Sequence, residues 1–374
     1  MTQNQQPDIR LFHPRSPSLT DFAYEYDKIK KRAIFSNNGP VANEFEKHLG
    51  RICTELSCAI TNSGTSALEA IFRCYKLAGN VITTPFSYVA TAHAAKACHL
   101  EVRYASVEDD SLNIDVNSIE ELVDEDTSAI IAVHTYGHPC AVEKLQALAS
   151  RYGLKLIFDA AQAFGTQIDG VDLAHFGDAS AYSFHATKVL SAVEGGAVFS
   201  KDAGLIDRIR EYRQFGIDKS GSVIGFGLNA KMSELHALVG LDNLTFLADD
   251  LISRKNVLNW YQKYLISVEG ISLHYSFDSS TNYNGAYCPI EVSEPIELNE
   301  FVEYLKSNGI QAKRYFYPLL TSFPDYENSL KSTKDIPKKA LRMVCLPIHP
   351  FLKQSDIKYI AEIINDFISH NTRR

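Results

Sequence analysis

From Ser57 onward, short apolar runs alternate with longer stretches whose apolar positions recur every three or four residues. The short runs are Cys58 to Thr61, Val81 to Thr84, Val102 to Ala105, Ala129 to Val133, Leu154 to Phe158, Ala179 to Phe184 and Ala197 to Ser200. Between the earlier ones the spacing predicts helices over Thr65 to Ala78, Val89 to Ala97, Ser118 to Val123 and Val142 to Tyr152. Strands alternating with helices predict parallel βαβ units in a sheet covered on both faces. Two helices come first, Leu19 to Ala33 and Val41 to Cys53, joined through Phe35-Ser-Asn-Asn-Gly-Pro40, which reads as a turn. Past Ala203 the pattern becomes helical, over Leu205 to Phe215, Ser233 to Phe246 and Ala248 to Leu265. A smaller α/β region closes the chain, with strands near Ile271 to Tyr275 and Ile310 to Arg314 and helices near Leu298 to Asn308 and Ser355 to His370. The expected architecture is α/β. A large domain over residues 1–247, with an N-terminal helix, carries a mostly parallel seven-stranded sheet. A smaller C-terminal domain spans 248–374, and the long helix from Ala248 sits at the boundary.

In such sheets ligands sit beyond the carboxyl ends of the strands, so the loops there are where chemistry is sought. Lys188 lies in Ser183-Phe-His-Ala-Thr-Lys-Val-Leu-Ser-Ala-Val-Glu-Gly-Gly196, between two predicted strands. A desolvated lysine has a lowered pKa and more neutral, nucleophilic amine, which is what Schiff-base chemistry requires. After the first strand, Asn62-Ser-Gly-Thr-Ser66 places hydroxyls and a glycine where a helix begins. That is an anion cradle, or simply a helix cap. Tyr88 follows the second strand and suits stacking on a flat ring; core packing is its other reading. Asp159 ends an apolar run, where a carboxylate needs a partner such as a protonated ring nitrogen, a helix cap or a salt bridge. Gln162 lies one helical turn further on. His134 and His138 flank a Gly-His-Pro turn without a further acid or cysteine at ligand spacing, so no metal site is read there.

Composition narrows the classes. The chain has 374 residues, 45% hydrophobic and 22% charged, with a net charge of −8. Bases cluster only briefly, at Lys28 to Arg32 and Arg373-Arg374, which argues against nucleic acid. No apolar run approaches the roughly 20 residues of a membrane span. The first residues are neither basic nor apolar, so no signal peptide is expected and the protein is expected to be cytoplasmic. Seven cysteines show no metal or redox spacing and read as buried, reduced small hydrophobes. Neither a Walker loop nor a dinucleotide glycine fingerprint is present. A phosphate cradle, a stacking aromatic, a buried acid and an activated lysine on one sheet edge describe a site for pyridoxal 5′-phosphate.

The chain resembles the DegT/StrS sugar-nucleotide aminotransferases, which are fold-type I pyridoxal-phosphate enzymes. The matching segments include Asn37-Asn-Gly-Pro40, Asn62-Ser-Gly-Thr-Ser-Ala-Leu68, Pro85-Phe-Ser-Tyr-Val-Ala-Thr91, Asp159-Ala-Ala-Gln162, Ser183-Phe-His-Ala-Thr-Lys188, Gly227-Leu-Asn-Ala-Lys-Met-Ser-Glu234 and Arg314-Tyr-Phe-Tyr-Pro318. By that resemblance Lys188 would hold the cofactor covalently, Asp159 would pair with its ring nitrogen and Gln162 with its ring oxygen, and Tyr88 would stack on it. Gly64, Thr65 and Ser183 would bind its phosphate, joined by Asn229 from a second subunit, which implies a homodimer with shared active sites. Asn38, Arg314 and Tyr317 are weaker candidates for contacts with the sugar nucleotide. The implied reaction moves the amino group of L-glutamate, through pyridoxamine 5′-phosphate, to a nucleotide-linked keto-deoxysugar. The nearest pattern is C4 amination of dTDP-4-keto-6-deoxy-D-glucose for O-antigen synthesis. Amination at C3 of a dTDP-3-keto-6-deoxyhexose, or at C4 of a GDP-keto-sugar, carries nearly the same motifs. A non-catalytic sugar- or cofactor-binding regulator is the alternative from another class, and retention of both Lys188 and Asp159 speaks against it.

Overall fold

Neighbouring apolar residues of each strand take opposite faces of one sheet, as the two-residue period of an extended chain requires. Val81, Val102, Ile131, Ile157 and Val198 fall in one core cluster, whereas Ile82, Ile130, Leu156, Phe158 and Phe199 pack on the other side. The computed structural model describes residues 8–274, 280–323 and 336–371. The strands of the main sheet are β1 (Ser57–Thr61), β2 (Asn80–Thr83), β3 (Glu101–Tyr104), β4 (Thr127–Val133) and β5 (Lys155–Asp159), followed by β8 (Ala179–Ser183) and β9 (Gly196–Ser200). Two-residue strands β6 (Gln167–Ile168) and β7 (Val171–Asp172) intervene and pair with each other, and β6 also pairs with β11 (Thr281–Asn282). The main sheet runs β1-β9-β8-β5-β4-β2-β3. It is parallel from β3 through β8, and β9 lies antiparallel to both of its neighbours. Because β9 runs backwards, its first residue, Gly196, stands at the same sheet edge as the last residues of β1, β5 and β8.

Helices α1 (Leu19–Arg32), α2 (Pro40–Ile52), α3 (Gly64–Cys74), α4 (Ala90–Ala97), α5 (Val116–Glu120), α6 (Val142–Tyr152), α7 (Ala203–Tyr212) and α8 (Glu234–Leu244) surround this sheet. One face is covered by α3, α4 and α7, the other by α2, α6 and α8. Helix α9 (Leu247–Leu265) starts in the second of these clusters, through Leu247 and Leu251. It ends in a separate core, where Val257, Leu258, Tyr261 and Leu265 are buried. That core is built on β10 (Ile271–Leu273), β12 (Cys288–Val292) and β13 (Met343–Leu346), with α10 (Leu298–Ser307) and α11 (Gln354–Asn371).

The expected strand from Ile310 to Arg314 is instead an extended segment making two isolated bridges, Ile310 with Ile9 and Lys313 with Cys345. Of the expected run Ile271 to Tyr275, the strand covers Ile271–Leu273, and Tyr275 lies outside the described residues. The N-terminal residues 1–7 and the Arg373-Arg374 pair lie outside them as well. Strand β12 is central to its sheet although it contains Pro289, which discourages a strand reading. Pro289 lies opposite His274, one residue past the end of β10, and its carbonyl takes the His274 amide (2.9 Å), so the missing N–H falls at the end of that ladder and not inside it.

Candidate active site

Seven residues that sequence reasoning marked converge on one cavity of about 280 Å³ at the carboxyl edge of the main sheet: Gly64, Thr65, Tyr88, Asp159, Gln162, Ser183 and Lys188. They arrive from four strand ends or the loops beside them: Gly64 and Thr65 after β1, Tyr88 after β2, Asp159 and Gln162 from β5, and Ser183 and Lys188 from β8. Between β8 and β9 the backbone folds back on itself through Phe184 to Gly195, Ala186 to Val193 and Ala192 to Phe184 amide-to-carbonyl bonds of 2.8 Å. Leu190 and Ala192 anchor that loop in the core, which leaves Lys188 facing the cavity. Burial lowers the Lys188 ammonium from 10.5 to about 8, and the charge of Asp159 works in the opposite direction. About a tenth of the amine is therefore neutral at pH 7, against well under a thousandth for an ordinary lysine.

Asp159 closes β5 and is 6% exposed. Its Oδ2 accepts from Thr91 Oγ1 at 2.6 Å and its Oδ1 from the Ala161 amide at 3.1 Å. Burial raises its pKa, and the Thr91 bond, the Ala161 amide and Lys188 oppose the rise. A carboxylate so placed is well suited to a cationic ring N–H. The Gln162 side-chain carbonyl accepts the Tyr136 amide at 2.8 Å, which fixes the amide group and leaves its Nε2 as a donor toward the cavity.

Helix α3 begins at this edge. Its cap, Ser63, takes only the Ser66 amide (3.1 Å), so the first-turn amides of Gly64 and Thr65 remain for an anion. Gly64 is required sterically: a Cβ there would meet Ser183 Cβ at 2.9 Å. Ser183 Oγ accepts the His185 amide at 3.4 Å and keeps its own hydrogen. Tyr88 is 59% exposed, so it is a surface of the cavity and not a core residue. Two first-turn amides, two hydroxyls, an amide donor, a buried acid and a partly neutral amine together fit pyridoxal 5′-phosphate.

The other predicted residues lie outside the cavity. Asn38 has left-handed backbone (φ 57°) and donates to Gln214 Oε1 at 2.9 Å. Arg314 stacks on Tyr317, 3.5 Å from the ring centroid, and donates to Asn299 Oδ1 and the Leu341 carbonyl. Asn229 is exposed, in a loop that also presents Phe215, Val223, Ile224 and Phe226 to solvent. Conversely, Ser87, Glu194, Tyr287, Lys313 and Tyr315 line the cavity without having been marked, and Thr91 touches Asp159 from behind. Ser87 and Thr91 were within reach, since both fall in the segment that carries Tyr88 and are one helical turn apart. Nothing local distinguishes Lys313 from Arg314, but adjacent residues of an extended segment face opposite ways. The Lys313 ammonium rests 4.7 Å from the Tyr315 ring centroid, with no acidic partner among the described residues.

His134 is buried and His138 half-buried; they stack on Phe158 and Tyr283, and desolvation holds both imidazoles neutral, near pKa 3. Among the described residues no group of three or more His, Cys, Asp or Glu is placed to hold a metal ion. Nor, among them, is any helix long and apolar enough to cross a membrane. Six of the seven cysteines are buried and none is paired.

Residues 20–365 match the model of the DegT/DnrJ/EryC1/StrS aminotransferase family. A dTDP-4-amino-4,6-dideoxy-D-glucose transaminase of Shigella dysenteriae is 35% identical over 96% of this chain and 98% of its own length. A GDP-perosamine synthase of Escherichia coli O157:H7 is 29% identical over 94% of this chain and 97% of its own. Among solved structures, DesI in the presence of its TDP-sugar product superposes with a TM-score of 0.92 at 30% identity, covering 98% of this chain and 94% of that one.

Proposed function

We propose that this chain, which belongs to the DegT/DnrJ/EryC1/StrS aminotransferase family and is a pyridoxal-phosphate-dependent sugar aminotransferase, aminates C4 of dTDP-4-keto-6-deoxy-D-glucose. The amino donor is L-glutamate, and the product serves a bacterial surface polysaccharide such as O-antigen. The observation that carries the chemistry is Lys188, an amine with its pKa near 8 in the same cavity as a buried aspartate. The choice of C4 and of a dTDP sugar leans on the Shigella relative, whose name carries that product. A GDP-linked acceptor is the second reading, favoured by the perosamine synthase at lower identity.

When bound, pyridoxal phosphate supplies a reactive aldehyde carbon and an electron-withdrawing ring. The Lys188 amine would hold the cofactor and, when free, would serve as the base for the proton on the donor α-carbon. Asp159 balances the positive ring nitrogen, which keeps the ring able to accept electron density. Gln162 Nε2 donates to the ring oxygen, and Tyr88 covers the ring face. The Gly64 and Thr65 amides, with the Thr65 and Ser183 hydroxyls, hold the phosphate. With the keto-sugar as acceptor, the same Lys188 amine would move the proton in the opposite sense.

A homodimer is part of this reading. Asn229 lies outside its own chain's cavity, and the apolar side chains beside it, Val223 at 73% and Phe226 at 71% exposure, suit burial against a second copy. There Asn229 would reach the partner's phosphate cradle.

Purified protein with L-glutamate and a panel of dTDP- and GDP-linked keto-sugars tests the proposal. Its kcat/KM should be at least about tenfold higher for the dTDP 4-keto sugar than for any other. Preference for a GDP sugar would overturn the acceptor. No 2-oxoglutarate with any sugar would point to a non-catalytic binder.

A further inference from the structure

Behind Asp159 stand two hydroxyls, and counting their hydrogens fixes which way each points. Thr91 Oγ1 is 2.6 Å from Asp159 Oδ2 and 2.9 Å from Ser87 Oγ. An ionised carboxylate only accepts, and a threonine hydroxyl has one hydrogen to give. That hydrogen goes to Asp159, so the contact with Ser87 is made by the Ser87 hydrogen. The chain of donation runs Ser87 to Thr91 to Asp159. The distances agree with this order, since the bond to a charged acceptor is the shorter of the two.

All three side chains are buried, with exposures of 3% for Ser87, 0% for Thr91 and 6% for Asp159. Ser87 and Thr91 lie one turn apart where the loop after β2 enters α4, so a single element supplies both hydroxyls. On the other oxygen the Ala161 amide is the second fixed donor. We propose that the Ser87 and Thr91 hydroxyls form a positioning relay that holds Asp159 as an oriented, ionised acceptor and thereby keeps a proton on the ring nitrogen of the cofactor. This rests on the reading that pyridoxal phosphate binds in the cavity.

The physical reason is competition for one proton. A buried carboxylate facing a pyridinium becomes a stronger base as its own hydrogen-bond donors are removed, and it then takes the ring proton. Each donor to Asp159 lowers its basicity, and Thr91 is the largest of the influences opposing burial, ahead of Ala161 and Lys188. Donation from Ser87 polarises the Thr91 hydroxyl and strengthens the bond that matters. Neither hydroxyl needs to touch the reacting atoms.

The test loads wild type, Thr91→Val, Thr91→Ser and Ser87→Ala with cofactor labelled with nitrogen-15 in the ring. The ring-nitrogen resonance is read by NMR and the cofactor dissociation constant at equilibrium. Thr91→Val, nearly the same shape, is expected to move the resonance toward unprotonated pyridine and weaken cofactor binding about tenfold or more. Thr91→Ser should restore both, and Ser87→Ala should move the resonance the same way by less. Should Thr91→Val fail to fold, Ser87→Ala decides, because it leaves the Thr91 to Asp159 contact in place. A wild-type resonance and affinity in both Thr91→Val and Ser87→Ala would overturn the relay while leaving the cofactor reading intact. Wild-type protein that takes up no labelled cofactor would overturn that reading, and the relay with it.

Discussion

Two buried carboxylates in this molecule are put to opposite uses. Glu234, at the start of α8, is 0% exposed, and its Oε2 and Oε1 accept the Val41 and Ala42 amides at 3.0 and 2.8 Å. Both oxygens thus close the open N-terminus of α2, where the helix dipole favours negative charge. The fit is tight enough that a Cβ on Gly39 would lie 2.5 Å from the Glu234 carboxyl carbon. Asp159 has comparable burial but different partners. It has one hydroxyl and one amide, and the rest of the group opens on the cavity that holds Lys188. Burial alone does not mark an acid as chemical. What marks it is acceptor capacity left over, beside a group it can act on.

Four changes break or sharpen that contrast, beginning with the largest. Lys188→Ala should lower transamination by about a thousandfold or more with the fold unchanged, since it removes the amine proposed to hold the cofactor and move the proton. Turnover in single-cycle kinetics near that of wild type would refute the assignment. Asp159→Asn should cost about a hundredfold or more in the glutamate half-reaction, because the ring nitrogen loses its anionic partner. Stopped-flow measurement of that half-reaction reads it directly.

The third change concerns pH. Lys188 is lowered to about 8, so its ammonium gives way to amine as pH rises through that value and not through 10.5. Trapping of the Lys188 amine in cofactor-free protein, by a simple aldehyde with borohydride reduction of the imine, should accelerate with a midpoint near 8. In Asp159→Asn the midpoint should fall further, since the charge that raises it has been removed. A midpoint near 10.5 would mean that the amine is not desolvated. The smallest effect belongs to Glu234→Gln. It should cost about 1–3 kcal/mol of stability in denaturant titration, where one backbone amide loses its acceptor, and leave cofactor affinity unchanged.

Much of the scaffold was legible in the chain because apolar runs bounded by turn residues mark strands whatever their neighbours. All seven strands of the main sheet start and end within two residues of the predicted runs. Strand direction is not written in that pattern, so the reversal of β9 emerges only from the structure. In the C-terminal region Pro289 hides a central strand, and the pairs β6, β7 and β11 are too short to carry a period. In the cavity, Lys188 stands out as a lysine among small and apolar residues between two strands and Asp159 as an acid that ends one, while Gly64 draws meaning from the hydroxyls around it where a helix begins. Ser87 and Thr91 are ordinary residues at a helix entry, and their meaning depends on an aspartate 68 residues away from Thr91. Lys313 is separated from Arg314 only by which way an extended segment faces.

The proposed chemistry stands or falls with Lys188 as the residue that holds pyridoxal phosphate. Borohydride reduction of the purified protein, followed by peptide mapping in the mass spectrometer, tests it most directly. A pyridoxyl group on Lys188 alone is the expected result. A pyridoxyl group on another lysine, or none after incubation with pyridoxal phosphate, would contradict it.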